Sequence, residues 1–448
     1  MKKSIDMLQG SIVNKVLLFA LPLAFTGMLQ QLFNAADVAI VGRFVSKQAM
    51  AAVGSNASII GLMVNLFIGI SIGANVVISI ATGKKDREGI SRCVHTSVLF
   101  ALLGGGLIIV IGELVAEPLL NLMGVPAEIF EMALAYIRIY ILGMPVIFLY
   151  NYESAIFRSQ GDTRTPLIVL AVAGVSNVIM NLFFVCVIGM RADGVALATV
   201  LSNVISSGLL FVLLCRRKDM IKLQPAKIRL HGSVLKQMIK IGLPAGLQSM
   251  VFSISNMCLQ SAINSLGADV VAASSAAFNI EILIFYLVNS FGQASTTFVG
   301  QNYGANNVPR CRKITRRILV LDVCVATGAA LILLSAGKIL LSVFCTEQAI
   351  IDIGFTRLCY ILLGEALCAI MEVMSGAMRG YGYSLVPAVA TFIGVCGIRI
   401  TWVYTVFKAV PAFSMIMAVY PVSWAATAIV LVIAYLMFMK SLERGDYK

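Results

Sequence analysis

Long apolar segments recur along this chain at short intervals, and they restrict its fold more than any other feature of the sequence. A helix needs about 20 apolar residues to cross the hydrocarbon core of a bilayer. Because no water pairs with backbone groups there, segments of this kind cross as helices. The sequence therefore predicts an all-α polytopic membrane protein with twelve transmembrane helices. They cover residues 13–42, 51–81, 93–115, 130–157, 165–188, 194–215, 237–263, 271–299, 314–337, 354–378, 385–409 and 413–440.

The composition excludes several other classes of protein. With 448 residues, 59% of them hydrophobic, and a mean hydropathy of +0.94, the chain does not resemble a soluble domain. Its net charge of +13 follows the loops, so we expect no nucleic acid to bind. The ten cysteines contain no CxxC pair, which favours packing roles over metal sites or disulfides. We expect no cofactor.

The basic residues also predict an orientation. Lys84, Arg217 and Arg310 lie in connections that follow an even number of helices, whereas Glu113 and Glu117 lie at the opposite ends. Lys and Arg concentrate on the cytoplasmic side of membrane proteins. Both termini are therefore predicted to be cytoplasmic, in the inner or plasma membrane of a prokaryote.

An internal repeat divides the chain. The Leu-Pro pair ending at Pro22 returns at Pro244, and FRSQGDTRTP at 157–166 resembles MRGYGYSLVP at 378–387. The alignment of Phe157 with Met378 defines equivalent positions of the two copies. Six helices per copy is an even number, so the two copies start on the same side and form a parallel repeat. The predicted domains are a six-helix bundle at 1–220, a cytoplasmic linker at 221–236 and a six-helix bundle at 237–448.

The first predicted helix contains a polar face. Gln30, Asn34 and Asp37 are spaced i, i+4 and i+7, which places them on one side of a helix. A carboxylate within a membrane helix is costly unless it meets a cation, a partner or a proton. We interpret Asp37 as a functional acid, with Gln30 and Asn34 as candidates for a substrate cavity. Pro22 removes a backbone hydrogen bond and favours a helix bend.

Two later helices offer oxygen ligands. Asn177 and Asn181 share one face of the fifth predicted helix, and Thr199 lies on the sixth. Hard cations such as Na⁺ prefer such oxygens. The alternative is that both amides hydrogen-bond neighbouring helices.

The second half has acids of its own. Glu281 lies in the eighth predicted helix, and Glu365 and Glu372 share one face of the tenth. They are secondary candidates for the substrate cavity. The alternative is that Arg379 or Arg399 pairs with them, because buried acids usually have partners.

Together, FNAADVAIVGR, FRSQGDTRTP, VGQNYGA and MRGYGYS resemble motifs of the multidrug and toxic compound extrusion (MATE) transporters over nearly the whole chain. The resemblance implies two bundles arranged as a V around a central cavity, and export of amphipathic organic cations in exchange for H⁺ or Na⁺. It also implies a cation-coupling site at Asp37, Asn177, Asn181 and Thr199. The family has a second acid where this chain has Asn181, which leaves the coupling ion open.

No GxxxxGK[ST] motif is present, so the predicted energy source is an ion gradient. Within transport, the alternative is a flippase for a lipid-linked saccharide, which would need basic residues in its cavity. An enzyme acting on diphosphates through metals would need clustered acids such as DDxxD, so we predict that the protein is not an enzyme. A channel is the third alternative. The predicted partners are small cationic molecules and the bilayer, and we expect a monomer.

Overall fold

The computed structural model describes residues 5–444, and over this range the chain forms helices and turns without β-strands. The helices are α1 Ile12–Phe44, α2 Lys47–Gly83, α3 Arg87–Leu122, α4 Ala127–Leu142, α5 Met144–Ser159, α6 Arg164–Leu182, α7 Ala192–Arg216, α8 Gly232–Asn264, α9 Ala268–Gly304, α10 Val308–Ser335, α11 Gly337–Ser342, α12 Gln348–Gly380, α13 Leu385–Thr391, α14 Ile398–Trp402 and α15 Phe413–Arg444. π-Helical segments extend α6 over Phe183–Val187 and join α13 to α14 over Phe392–Gly397, and a further one covers Val403–Phe407.

These helices confirm the predicted all-α membrane fold. Ten described helical segments are long and apolar enough to span a bilayer, and the bent pair α4–α5 makes an eleventh. Helix α8 is long enough at 33 residues, but it does not meet the same criterion of apolarity. The count of twelve is thus consistent with the structure, although apolarity alone supports ten or eleven.

The fourth predicted helix differs in shape from the prediction. The expected single helix at 130–157 is two helices that meet at Gly143 with a bend of 47°. Pro145 lies in the first turn of α5, where its missing N–H costs least but where it cannot continue the hydrogen-bond ladder of α4. Hydropathy does not detect this break, because the segment is apolar on both sides of it.

The described residues form two compact units. The first contains Phe25–Gly242 with Ile5, and the second contains Asp6–Ala24 with residues 243–444. Helix α1 is therefore divided between the units after Ala24, shortly beyond Pro22, and it remains one uninterrupted helix. The predicted linker at 221–236 groups with the first unit.

The repeat is visible in the helix bounds and in their local geometry. Helices α2 and α9 are both 37 residues long and begin at equivalent positions of the two copies. Lys85 and Asn306, which are also equivalent, adopt φ values of 59° and 55°. The next residue of each copy, Asp86 or Asn307, then caps the following helix by accepting a hydrogen bond from the backbone N–H three residues later. The same turn chemistry thus starts α3 and α10.

Equivalent positions nevertheless hold different chemistry. In the first unit, Asp162 forms an ion pair with Arg217, whose guanidinium lies 5.0 Å from the centroid of the Phe157 ring. The equivalent positions of the second unit are Tyr383 and Phe438, whose ring centroids lie 4.7 Å apart. The two positions are therefore joined by an ion pair in the first unit and by aromatic packing in the second.

Candidate functional site: a buried carboxylate with amide and hydroxyl partners

Three helices of the first unit bring the predicted coupling residues together. Asn181 of α6 donates from Nδ2 to Asp37 Oδ1 at 2.6 Å and to Asn177 Oδ1 at 3.2 Å. Thr199 of α7 lies 3.3 Å from Asp37 Oδ2 through its hydroxyl, which also lies 2.9 Å from the carbonyl of Val195. A single hydroxyl proton is thus shared between the carboxylate and the backbone of α7.

Three members of the cluster are buried, and Thr199 is partly exposed. The exposed fraction is 8% for Asp37, 4% for Asn177 and zero for Asn181. A buried apolar cluster contains Ile40 and Val195, which lie about one helical turn from Asp37 and Thr199. A carboxylate in such a setting is costly unless it is neutralised or hydrogen-bonded, and here it accepts two hydrogen bonds from uncharged donors. The free energy of this site therefore depends on whether a proton or a cation accompanies the carboxylate.

One oxygen in the cluster lacks a donor. Asn181 Oδ1 is buried and receives no hydrogen bond from any residue in the described range. Buried polar atoms usually have partners, so an orphaned acceptor beside a carboxylate indicates a position at which a cation can be bound. Asp37, Asn177, Asn181 and Thr199 all carry oxygens of the type that a hard cation prefers, although in this arrangement Asn181 turns its Nδ2 toward Asp37 and Asn177.

The remaining predicted residues of α1 lie apart from this cluster. Gln30 and Asn34 are exposed, and between residues 5 and 444 neither forms a hydrogen bond to the Asp37 cluster. Their predicted place in a substrate cavity stays a prediction. Pro22 lies inside α1 without interrupting the helix.

In the second unit, Glu281 pairs with an arginine other than the two predicted partners. Arg357 of α12 donates from Nε and Nη2 to the two carboxylate oxygens of Glu281 at 3.0 and 2.6 Å, and from Nη1 to Ser274 at 2.6 Å. The proposed partners Arg379 and Arg399 were therefore wrong for Glu281. The available signal was an arginine in the first turn of the predicted tenth helix.

The other acids of the second unit are less completely paired. Arg379 Nη2 lies 3.6 Å from Glu372 Oε2, so the expected pairing with Arg379 is present at this acid. Glu365 is 2% exposed, and its Oε2 has no hydrogen-bond partner among residues 5–444. Asp322 of α10 is fully buried, and neither of its carboxylate oxygens has a partner in the same range.

Arg399 does not neutralise any of these acids within the part of the chain that the structure describes. Its guanidinium donates to Ser423 at 3.1 Å and to Asn256 at 2.8 Å. It also lies over the ring of Tyr420, 4.5 Å from its centroid, as a cation–π contact. A fully buried arginine is thus stabilised by hydroxyl, amide and aromatic groups.

Fold and site together define a helical membrane protein with two repeats and a buried carboxylate cluster in the first. The MatE family profile matches residues 22–183 and 244–405, one match per repeat. The chain therefore belongs to the MatE family, which confirms the resemblance to the multidrug and toxic compound extrusion transporters.

Individual relatives extend over most of the chain. The "Probable multidrug resistance protein YoeA" of Bacillus subtilis is 28% identical over 399 residues, covering 87% of this chain and 86% of its own. The "Probable multidrug resistance protein NorM" of Thermotoga maritima is 27% identical over 396 residues, covering 87% of this chain and 84% of its own. A crystal structure of MATE in the bent conformation matches with a TM-score of 0.91 and 20% identity over 99% of both chains, which shows the fold.

Proposed function

We propose that this protein exports amphipathic organic cations by alternating access, driven by the entry of H⁺ or Na⁺. The observation that carries the proposal is the buried Asp37 carboxylate, which meets only uncharged partners from α6 and α7. The names of the Bacillus subtilis and Thermotoga maritima relatives, both probable multidrug resistance proteins, support the cargo class. The absence of a nucleotide-binding motif supports an ion gradient as the energy source.

Asp37 would act by changing its charge. As a carboxylate it attracts a cation, and after protonation it no longer does. Antiport requires the two conformations to differ in their affinity for ion and cargo, since a ligand that binds both equally shifts nothing. Desolvation makes the difference between the charged and neutral forms large in this site.

Asn181 gives the site two arrangements. In the structure its Nδ2 faces Asp37, which suits a carboxylate without a bound cation. A half-turn of the amide about its last torsion would present Oδ1 instead. The carboxylate, both amide oxygens and the Thr199 hydroxyl would then supply oxygen ligands to Na⁺. Protonation of Asp37 would produce the same preference, because a carboxyl O–H donates to an amide oxygen.

The second unit would serve the cargo. Glu365 and Glu372 place two carboxyl groups on α12, and Glu372 is only loosely paired with Arg379. Glu281, in contrast, is bound by two hydrogen bonds from Arg357 and is assigned a structural role. The flippase alternative needs cations that face the cargo, and the buried Arg399 is committed to Ser423, Asn256 and aromatic rings. That arrangement favours cationic cargo.

The test uses purified protein in liposomes with an imposed proton or sodium gradient. A panel of fluorescent lipophilic cations reports transport, and an anionic dye of similar size serves as the matched control. We expect movement of at least one cation that depends on one of the two gradients and stops when that gradient is collapsed. Movement of cargo without a gradient, or of the anionic dye alone, would contradict the proposal.

A further inference from the structure

Helix α10 carries a two-part stripe beside the start of α1. The residues recur at i, i+3, i+4, i+7, i+8 and i+11, so they share one helix face. They are Lys313, Arg316, Arg317, Val320, Leu321 and Cys324, and with Val13 they line a cavity of about 470 Å³. Because a helix rises 1.5 Å per residue, the apolar part begins about 10 Å further along α10 than Lys313.

The three cations of this stripe lack acidic partners. No carboxylate among residues 5–444 lies within ion-pair distance of Lys313, Arg316 or Arg317. Their neighbours on α10 behave differently. Arg310 donates to the carbonyl of Gly10 at 3.2 Å, and Arg312 pairs with Glu443. Three positive charges therefore converge on one groove without internal compensation.

In the first repeat, the equivalent face of α3 is covered by another segment of the chain. His95 of α3 accepts a hydrogen bond from the backbone N–H of Gln224 at 3.1 Å, and Thr96 accepts one from the N–H of His231 at 3.2 Å. The equivalent positions of the second repeat are Arg316 and Arg317, which are exposed. The same face thus holds a polypeptide segment in one unit and presents two cations in the other.

The order of basic and apolar residues along α10 indicates which type of ligand the groove binds. The cations lie in the first three turns of α10, in a basic region of the sequence that is predicted to be cytoplasmic, and the apolar residues lie further into the predicted span. A phospholipid has the same order, with a phosphate at the surface and hydrocarbon below it. We propose that this groove binds one anionic phospholipid of the cytoplasmic leaflet, with its phosphate on Lys313, Arg316 and Arg317 and its acyl chain along Val320 and Leu321.

The proposal is tested by native mass spectrometry of the full chain in detergent. The probes are dioleoyl phosphatidylglycerol, dioleoyl phosphatidylcholine and glycerol 3-phosphate. The variant replaces the three cations by glutamine, Lys313→Gln, Arg316→Gln and Arg317→Gln. Each basic residue near an anionic surface changes the affinity about fivefold, so we expect the triple variant to bind phosphatidylglycerol at least tenfold more weakly.

Two further variants make the result specific. The matched control Lys84→Gln, Lys85→Gln and Arg87→Gln removes the same charge from the exposed α2–α3 turn, and we expect it to leave phosphatidylglycerol binding unchanged. The conservative set Lys313→Arg, Arg316→Lys and Arg317→Lys keeps the charge, and we expect it to bind within about threefold of the parent. That set also separates loss of binding from loss of folding.

Three outcomes would overturn the proposal. The first is equal binding of phosphatidylglycerol and phosphatidylcholine. The second is an equal loss of binding in the control variant, which would indicate a diffuse charge effect. The third is binding of glycerol 3-phosphate as tightly as the lipid, which would make the groove a site for a soluble phosphate.

Discussion

Replacing Asp37 by asparagine tests the coupling site with little change in volume. The side chain keeps an oxygen that can accept from Asn181, while its new amide group faces the Thr199 hydroxyl, which can accept as well as donate. Hydrogen bonds to a charged acceptor contribute about 1 kcal/mol more than neutral ones, but the variant also avoids the cost of burying a charge. We therefore expect the free energy of unfolding to change by about 1 kcal/mol or less.

Transport should respond far more strongly than stability. The variant cannot alternate between charged and neutral forms, so its affinity for the driving ion no longer differs between states. Each tenfold of differential affinity corresponds to about 1.4 kcal/mol, and losing one such factor would reduce gradient-driven efflux at least tenfold. Cargo binding without a gradient should stay within about threefold, because no step of cargo recognition is assigned to Asp37.

The assay is extrusion of a cationic dye from liposomes under an imposed gradient, compared with parent protein at the same density. Thermal unfolding in detergent, followed in parallel, verifies that the variant is folded. Asn14→Ala, at an exposed position of the same helix outside the cluster, is the control and should transport normally. Efflux by Asp37→Asn within about twofold of the parent would refute the reasoning and move the coupling site to the acids of α12.

Three other perturbations have defined expectations. Asn181→Asp adds a second carboxylate beside Asp37. Because the added charge strengthens the ligand set, the Na⁺ concentration for half-maximal efflux should fall about tenfold in a sodium titration, and no shift would contradict the proposed ligands. Arg357→Gln leaves Glu281 buried without its partner and should lower the free energy of unfolding by about 3–5 kcal/mol. The double variant with Glu281→Gln should recover most of this stability in thermal unfolding, and additive losses of stability would argue against the pair. Burial and the neighbouring Arg229 lower the pKa of His231 below its usual value of 6.5, so its docking on α3 is stable while the ring is neutral and weakens as the pH falls below the usual pKa; the protection factor of the His231 amide against hydrogen exchange should then decrease, and a pH-independent protection factor would exclude this.

The sequence predicts the membrane fold well because bilayer thickness sets the length of apolar segments. It also predicts the residues of the Asp37 cluster, since an acid among apolar neighbours stands out and Asn177 and Asn181 share one helix face. The arrangement of donors and acceptors is not predictable in this way. The orphaned Asn181 Oδ1 arises from how α1, α6 and α7 pack.

Other features escape sequence analysis for geometric reasons. The pairing of Glu281 with Arg357 joins residues 76 positions apart and depends on the packing of α9 against α12. The bend at Gly143 interrupts an apolar segment without changing its hydropathy. The π-helical segments are too short to alter the periodicity of the pattern, although Phe183–Val187 and Val403–Phe407 occur at nearly equivalent places of the two repeats.

The two repeats should respond differently to salt, because the Asp162–Arg217 ion pair of the first is replaced by the Tyr383–Phe438 ring pair in the second. Added salt screens a charge pair that is partly open to solvent, and the Arg217 side chain is 19% exposed. Aromatic packing is insensitive to screening and is strengthened by sulfate or phosphate, which favour apolar burial. A change in the ionic composition of the surrounding solution therefore shifts these equivalent contacts of the two repeats in opposite directions.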